Sequence, residues 1–153
     1  MKPYHHFLIG GDGGASVVAD AGLLVLRLMA GLALAFAHGT GKIPPSAGFI
    51  EGVEALGFPA PAFFGWAAGI AELVGGVCLA VGLLTRPASV LIAFTMAVAF
   101  FLRHADDPFA TKEKAFLFGG IALLFIFVGA GRFSLDSFLR GRASKHTVSR
   151  YAR

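Results

Sequence analysis

The sequence contains little charge and almost no cysteine. Only 14% of its 153 residues are charged while 56% are hydrophobic, whereas ordinary soluble domains carry about 25% charged residues. This composition argues against a water-soluble protein and predicts that a lipid bilayer surrounds the chain. Cys78 is its one cysteine, so an intrachain disulfide and a redox-active dithiol are both excluded.

Motifs that would indicate an enzyme or a metal site are missing as well. The chain has no HxxxH, HxxE or CxxC spacing, and the adjacent His5 and His6 have no further ligands beside them. No haem ligand pair and no flavin or nucleotide fingerprint is present. We therefore expect neither a metal ion nor a nucleic acid as a partner.

Four long apolar runs predict membrane-spanning helices. They extend from about Ala21 to His38, Ala62 to Leu84, Pro87 to Leu102 and Lys112 to Ala130. At 1.5 Å per residue each run is roughly 24–35 Å long, which matches the ~30 Å hydrocarbon core of a bilayer. The sequence therefore predicts an all-α fold, in which one domain forms a bundle of four transmembrane helices.

Two shorter segments outside these runs also have helical periodicity. Between the first two spans, Ser46 to Leu56 places its apolar residues on one side and Glu51 and Glu54 on the other. This pattern predicts a short interfacial helix along the membrane surface. Residues 134–140 are expected to form one more surface helix, with its apolar side chains facing inward.

The two ends of the chain differ from the membrane domain, which we place at residues 20–138. Residues 1–19 are rich in glycine and lack helical periodicity, so they predict a flexible amino-terminal arm. Residues 139–153 contain basic but no acidic residues, which predicts a basic carboxy-terminal tail held near anionic lipid.

The distribution of basic residues predicts the orientation. Four spans place both termini on one side of the membrane, together with the turn at Arg86. That side collects the larger set of basic residues: Lys2, Arg86, Arg132, Arg140, Arg142, Lys145, Arg150 and Arg153. The opposite loops hold the smaller set: Lys42, Arg103, Lys112 and Lys114. The positive-inside rule then predicts that both termini lie in the cytoplasm.

Glu72 lies near the middle of the second apolar run. An ionisable group at such a depth costs roughly 2.5–3.5 kcal/mol on insertion scales, so it is rarely kept without a task. Gly65, Gly69 and Gly76 share its helix face, and small residues at this spacing allow helices to approach closely in lipid. Glu72 is therefore expected to point into the bundle.

Other polar residues are expected to converge near Glu72. On the first helix, Arg27, His38 and Lys42 share one face, because their spacing follows the helical repeat. The third helix ends in His104 and the fourth begins near Glu113. The predicted ligand-binding or proton-path residues are Arg27, His38, Lys42, Glu72, His104 and Glu113.

Three interpretations of this group remain open from the residues alone. Arg27 and Glu72 could form a buried ion pair that fixes helix register. The group could instead form a pocket for a small polar or quinone-like head, with Glu72 and His38 as hydrogen-bonding partners. A third interpretation is a proton path through Glu72, His38 and His104, because desolvated carboxyl groups and histidines can exchange protons near neutral pH.

Several motifs together resemble the DoxX family of small four-helix membrane proteins. The resemblance covers about residues 20–138, and its clearest segments are Ala37-His38-Gly39-Thr40-Gly41-Lys42, Ala68-Gly69-Ile70-Ala71-Glu72-Leu73 and Gly129-Ala130-Gly131-Arg132-Phe133-Ser134-Leu135-Asp136. It implies a multi-pass protein of the bacterial inner membrane that serves as a subunit or module of a quinone-linked oxidoreductase. Quinone would then be its cofactor, and an oxidoreductase subunit or a second copy of the chain its partner. A non-enzymatic binding, transport or scaffold protein is the alternative.

Overall fold

All secondary structure in the computed structural model, which describes residues 16–141, is helical. Helix α1 (Val17–Ala33) continues without a break into a π-helical segment, Leu34–Gly39, and a 3₁₀ turn, Thr40–Lys42. The remaining bounds are α2 (Ala47–Ala55), α3 (Pro61–Val81), α4 (Thr85–Val98, π-helical over Ala99–Arg103), α5 (Phe109–Val128) and α6 (135–141). The predicted all-α fold is confirmed for this part of the chain.

Three of the described helices are long and apolar enough to cross a membrane: Val17–Lys42, Pro61–Val81 and Thr85–Arg103. Helix α5 has 20 residues, but its beginning carries three charged residues, Lys112, Glu113 and Lys114. Because of these charges, α5 is not among the helices that are long and apolar enough to cross a membrane. The fourth span therefore stays a prediction.

The first helix is longer than predicted at both ends. It begins at Val17 because the Ser16 hydroxyl accepts a hydrogen bond from the Ala19 amide (3.1 Å) and caps the helix. It ends at Lys42 because the π and 3₁₀ turns carry it past His38. Residues 1–15 of the predicted arm and residues 142–153 of the predicted tail lie outside the described residues.

Helix α2 forms where the sequence predicts it. Ser46 caps it by accepting a hydrogen bond from the Phe49 amide (3.2 Å), Val53 is buried, and Glu51 and Glu54 are exposed. The amphipathic pattern was therefore interpreted correctly. Its position at a membrane surface stays a prediction.

Helices α1 and α3 approach each other until their backbones touch. A Cβ atom added to Gly31 would lie 2.5 Å from the Gly76 carbonyl oxygen, and one added to Gly76 would lie 2.8 Å from the Gly31 carbonyl oxygen. Nearer the end of the first span, a Cβ on Gly39 would lie 2.5 Å from the Leu73 amide nitrogen. The predicted close packing through the glycine face of α3 is confirmed.

The bundle core lies where α3 and α4 meet the other two long helices. Leu34, Leu79, Ile92, Met96 and Phe125 contribute its largest buried side chains. Helix α3 packs between α1 and α4, and α4 packs in turn against α5. The core therefore fills the middle of the bundle.

Polar contacts fasten the segment after α5 to α1 and to the start of α4. Asp20 of α1 is buried and accepts a hydrogen bond from the Arg132 amide (3.1 Å). Arg27 donates from Nη2 to the Phe133 carbonyl oxygen (2.6 Å). Asp136 accepts hydrogen bonds from the backbone amides of Leu84 (2.8 Å) and Thr85 (3.0 Å) at the start of α4. The segment thereby closes one end of the bundle.

Helix α6 is present at residues 135–141, but the predicted orientation of its apolar side is wrong. Leu135, Phe138 and Leu139 are exposed on the surface of the protein, whereas Asp136 is buried. The reason is the capping role of Asp136, which turns the polar side of α6 toward the start of α4.

Candidate functional site

Glu72 is buried in the middle of α3 and pairs with Lys42. Its side chain is 1% exposed, and the Lys42 Nζ atom lies 2.6 Å from both of its carboxylate oxygens. Two glycines of the packed helices bring Lys42 to this place. A Cβ on Gly69 would lie 2.9 Å from the Lys42 carbonyl oxygen, and Gly39 meets α3 beside Leu73. The absence of side chains at both positions lets the end of the first span lie against α3.

The predicted pairing of Glu72 with Arg27 is wrong. The Arg27 guanidinium lies against Gly82 at the other end of α3 and bonds to the Phe133 carbonyl oxygen. Side chains on a helix lean toward its amino-terminal end. Because α1 and α3 run in opposite directions, Arg27 and Glu72 lean away from each other.

A small pocket lies beside the Lys42–Glu72 pair, where all four long helices meet. It has a volume of about 90 Å³. Its polar lining comes from His38, Lys42, Glu72 and Lys114, and its apolar lining from Leu34, Met96, Ala99, Ala115 and Phe118. The His38 ring meets the Phe118 ring edge to face, with centroids 5.7 Å apart. The contact joins the first span to α5 across the pocket.

Both π-helical segments border this pocket. His38 belongs to the segment Leu34–Gly39, and Ala99 begins the segment Ala99–Arg103. A π turn inserts an extra residue into the helical repeat and is frequent at functional sites. In the first span, the π-helical segment is followed by the 3₁₀ turn that contains Lys42, the partner of Glu72.

Three of the predicted site residues therefore come together, and three do not. His38, Lys42 and Glu72 share the pocket, whereas Arg27 lies at the opposite end of the bundle. His104 pairs with Asp107 of its own loop, with 2.7 Å between Nδ1 and Oδ2. Glu113 is exposed and does not line the pocket.

Lys114 is a pocket residue that the sequence interpretation missed. It lies one position after Glu113, which corresponds to a rotation of about 100° around the helix. The buried residues of α5, Ala115, Ala122 and Phe125, mark its inward face. Residues 115–128 are all apolar or glycine, so no alternation in the sequence distinguishes this face from the others. Lys114 lies at the edge of that face, one turn before Phe118.

The pocket carries an excess of positive charge. Lys42 and Lys114 bring two ammonium groups, and Glu72 brings the one carboxylate among the lining residues. Both Glu72 oxygens are occupied by Lys42, while no described carboxylate lies within ion-pair distance of Lys114. The arrangement favours a ligand whose head accepts hydrogen bonds or carries negative charge.

Two further buried carboxylates, Asp20 and Asp136, were also missed as buried groups. They lie at the end of the bundle away from the pocket, with Arg27 and Arg132. Asp136 accepts hydrogen bonds from backbone amides at the start of α4. Asp20 accepts one from the Arg132 amide and lies 3.5 Å from the Arg132 Nε atom. Both carboxylates fasten backbone segments away from the pocket, and we take the pocket at Glu72 as the candidate site.

Comparison with known proteins identifies relatives of this chain. An uncharacterized protein of Haemophilus influenzae is 38% identical over 77 residues, which is 46% of this chain and 58% of that protein. A Bacillus subtilis protein named "Putative oxidoreductase CatD" is 30% identical over 121 residues, which is 78% of this chain and 88% of that protein. No solved structure matches the chain. A model of the DoxX family matches residues 22–105, and the chain is therefore a membrane protein that belongs to the DoxX family.

Proposed function

We propose that this chain is the membrane-embedded module of a quinone-linked oxidoreductase and that its pocket holds the quinone ring. The observation that carries the proposal is the convergence of His38, Lys42, Glu72 and Lys114 beside the Phe118 ring. A ring with carbonyl oxygens needs hydrogen-bond donors at its edge and a flat apolar wall at its face. The name of the Bacillus subtilis relative supports an oxidoreductase role.

The residues of the pocket suit both states of such a ligand. Quinone reduction takes up two electrons and two protons, which turns two carbonyl oxygens into hydroxyl groups. Lys114 and His38 can donate hydrogen bonds to carbonyl oxygens. Each Glu72 oxygen that bonds to Lys42 keeps a second lone pair, which can accept a hydrogen bond from a hydroxyl group. The Lys42–Glu72 pair and His38 can also pass protons to the ring. Electrons would come from a partner subunit, because the chain has no redox motif of its own.

The proposal includes an arrangement in the membrane. With α5 as a fourth span, both termini lie in the cytoplasm and the pocket opens toward the outer leaflet of a bacterial inner membrane. In support, Lys42 lies at the end of the first span and Lys114 near the beginning of α5. Both therefore belong to the end of the bundle that is opposite to Asp20 and Asp136. The chain after α5 is rich in basic residues, and the positive-inside rule favours the cytoplasmic side for such a segment.

Binding of a soluble quinone analogue to the purified protein tests the proposal. Lys114→Met and His38→Ala should each weaken binding by about 1–3 kcal/mol, because each removes one hydrogen bond to the ring. Lys112→Met is the matched control, since Lys112 belongs to the same turn but bonds to the Ala105 carbonyl oxygen (2.9 Å) outside the pocket. No binding by the wild type, or equal loss in the Lys112 control, would contradict the proposal.

One observation favours a second candidate, a non-enzymatic binding or scaffold protein. Lys42 already bonds to both Glu72 oxygens, so the pair could act only to fix the register of α1 and α3. Lys42→Met and Glu72→Gln should lower stability under either function, so the distinguishing result would be a wild-type protein that binds no quinone analogue. Copurification of a redox subunit in mild detergent would favour the oxidoreductase, whereas self-association alone would favour the scaffold.

A further inference from the structure

A second, apolar cavity lies in the groove between α4 and α5. Its volume is about 290 Å³, and it is lined entirely by apolar side chains and glycine. Small residues form much of it: Ala93, Ala97, Gly119 and Gly120. Phe101 and Phe116 stand at its border and are 68% and 56% exposed, so the groove opens on the surface of the bundle. A polar ligand would find no hydrogen-bonding side chain there.

The groove and the polar pocket are neighbours that share a wall. Met96 of α4 and Ala115 of α5 line both cavities, and their exposed fractions are 6% and 9%. His38, Lys42, Glu72 and Lys114 line the pocket and not the groove, so this wall separates a polar space from an apolar one. One ligand could therefore reach both spaces past a methionine side chain, which adapts its shape easily.

We propose that the α4–α5 groove binds the hydrocarbon tail of the quinone-like ligand whose ring occupies the pocket. This inference rests on the proposed function. Pockets that enclose a whole ligand usually measure about 300–1,000 Å³, and the polar pocket of about 90 Å³ is much smaller. It is too small for a quinone together with its tail, so the apolar remainder of the ligand needs a separate place.

The chemistry of the groove fits a slender tail. In a bilayer a tail gains no hydrophobic free energy by leaving lipid for protein, because lipid chains are equally apolar. The binding free energy of the tail must come from van der Waals contacts, which require a groove of matching shape. The small residues on both helices form such a groove, and Met96 and Ala115 lie between it and the polar pocket.

Gly120 offers a way to fill the groove without disturbing the fold. A Cβ atom added there meets no atom within 4 Å, so the side chain of Gly120→Leu can occupy the groove. Gly22→Leu is the matched control, because Gly22 lies on α1 and a Cβ there also meets nothing within 4 Å. Both variants place the same side chain on a helix, but only one blocks the groove.

The experiment compares a decyl-tailed quinone with the same ring lacking the tail, in wild-type protein and both variants. We expect Gly120→Leu to weaken binding of the tailed quinone by about five- to tenfold. Binding of the tailless ring should not change, and Gly22→Leu should bind both like wild type. Unchanged affinity of Gly120→Leu for the tailed quinone, or an equal loss for both compounds, would overturn the inference.

A photoreactive group at the end of the decyl tail gives a second readout in wild-type protein, which holds even if Gly120→Leu fails to fold. Labelling should fall within residues 93–101 and 115–123, and an excess of unlabelled tailed quinone should compete with it. Labelling of other residues would overturn the groove assignment. Labelling that an excess of phospholipid displaces, but an excess of tailed quinone does not, would overturn it as well. If the tailless ring still binds in a manner sensitive to His38→Ala, the proposed function survives. If neither quinone binds, both proposals fail.

Discussion

Lys42 holds both carboxylate oxygens of Glu72 at 2.6 Å, and thereby connects the end of the first span to the middle of α3. Glu72 is 1% exposed while the Lys42 side chain is 29% exposed. The carboxylate is thus enclosed by protein, whereas the Lys42 side chain is partly exposed. This asymmetry makes Glu72 dependent on Lys42.

Removal of Lys42 should destabilise the protein more than its exposure suggests. Lys42→Met leaves the Glu72 carboxylate buried without a counter-charge, and we expect a loss of about 3 kcal/mol in the free energy of unfolding, at the lower end of the range for broken buried pairs. The double variant with Glu72→Gln should lose less than the sum of the single variants. Unfolding in mixed micelles measures this coupling.

Arg27 supplies the control for this double-mutant cycle. Gly82, which the Arg27 guanidinium contacts, lies ten residues after Glu72, or about 15 Å along the helix. Arg27→Met and Glu72→Gln should therefore be additive within about 0.3–0.5 kcal/mol. Coupling of Glu72 to Arg27 instead of Lys42 would contradict the pairing in the structure.

The sequence was sufficient to predict the helices and the inward face of α3. Apolar run length located every span candidate, and the spacing of Gly65, Gly69, Glu72 and Gly76 identified a buried face that the structure confirms. Both features, the length of an apolar run and the spacing of small residues along a helix, are local properties that a single sequence contains. The pairing of polar groups depends on side-chain direction and on the π turns, which periodicity does not contain.

The errors at the site follow from that difference. Regular helices placed Arg27 and Glu72 at reachable depths, but opposite chain directions turn the two side chains apart. The phase of α5 was wrong by one residue, so Glu113 was chosen in place of Lys114. His104 bonds to Asp107, three residues away, and this local partner was visible in the sequence.

The contact between α1 and α3 should not tolerate even one methyl group. Gly31→Ala puts a Cβ atom at 2.5 Å from the Gly76 carbonyl oxygen, so the helices must separate at a cost of about 1–3 kcal/mol. Gly22→Ala on the same helix meets open space and should leave stability unchanged or raise it by about 0.5–1 kcal/mol. Equal thermal stability of the two variants would contradict the close approach.

Cysteine accessibility tests the predicted orientation. In a Cys78→Ala background, single cysteines at Ala47 and Asp106 should react with a membrane-impermeant maleimide added to intact cells. Cysteines at Gly141 and Lys145 should react only after the membrane is permeabilised, because the positive-inside rule places both on the cytoplasmic side. Reaction of the Lys145 position from outside would reverse the topology and move the pocket to the inner leaflet.

Asp136 should be essential for the turn between α3 and α4. Leu84 has a left-handed backbone with φ of 46°, a conformation that is costly for a residue with a side chain. The Asp136 carboxylate accepts hydrogen bonds from the amides of Leu84 and Thr85, which stabilises this turn and caps α4. Asp136→Ala leaves both amides without an acceptor, and we expect a loss of about 1–3 kcal/mol for each in unfolding experiments.

Two further variants make the test of Asp136 specific. Asp136→Asn keeps one acceptor oxygen and should recover part of the lost stability. Asp107→Ala removes a carboxylate whose partner is the half-exposed His104, so its cost should stay below about 1 kcal/mol. Because Asp136 lies at the opposite end of the bundle from Glu72, stably folded Asp136→Asn protein should bind the quinone analogue like wild type. Weaker binding by stably folded Asp136→Asn protein would contradict this separation of Asp136 from the pocket.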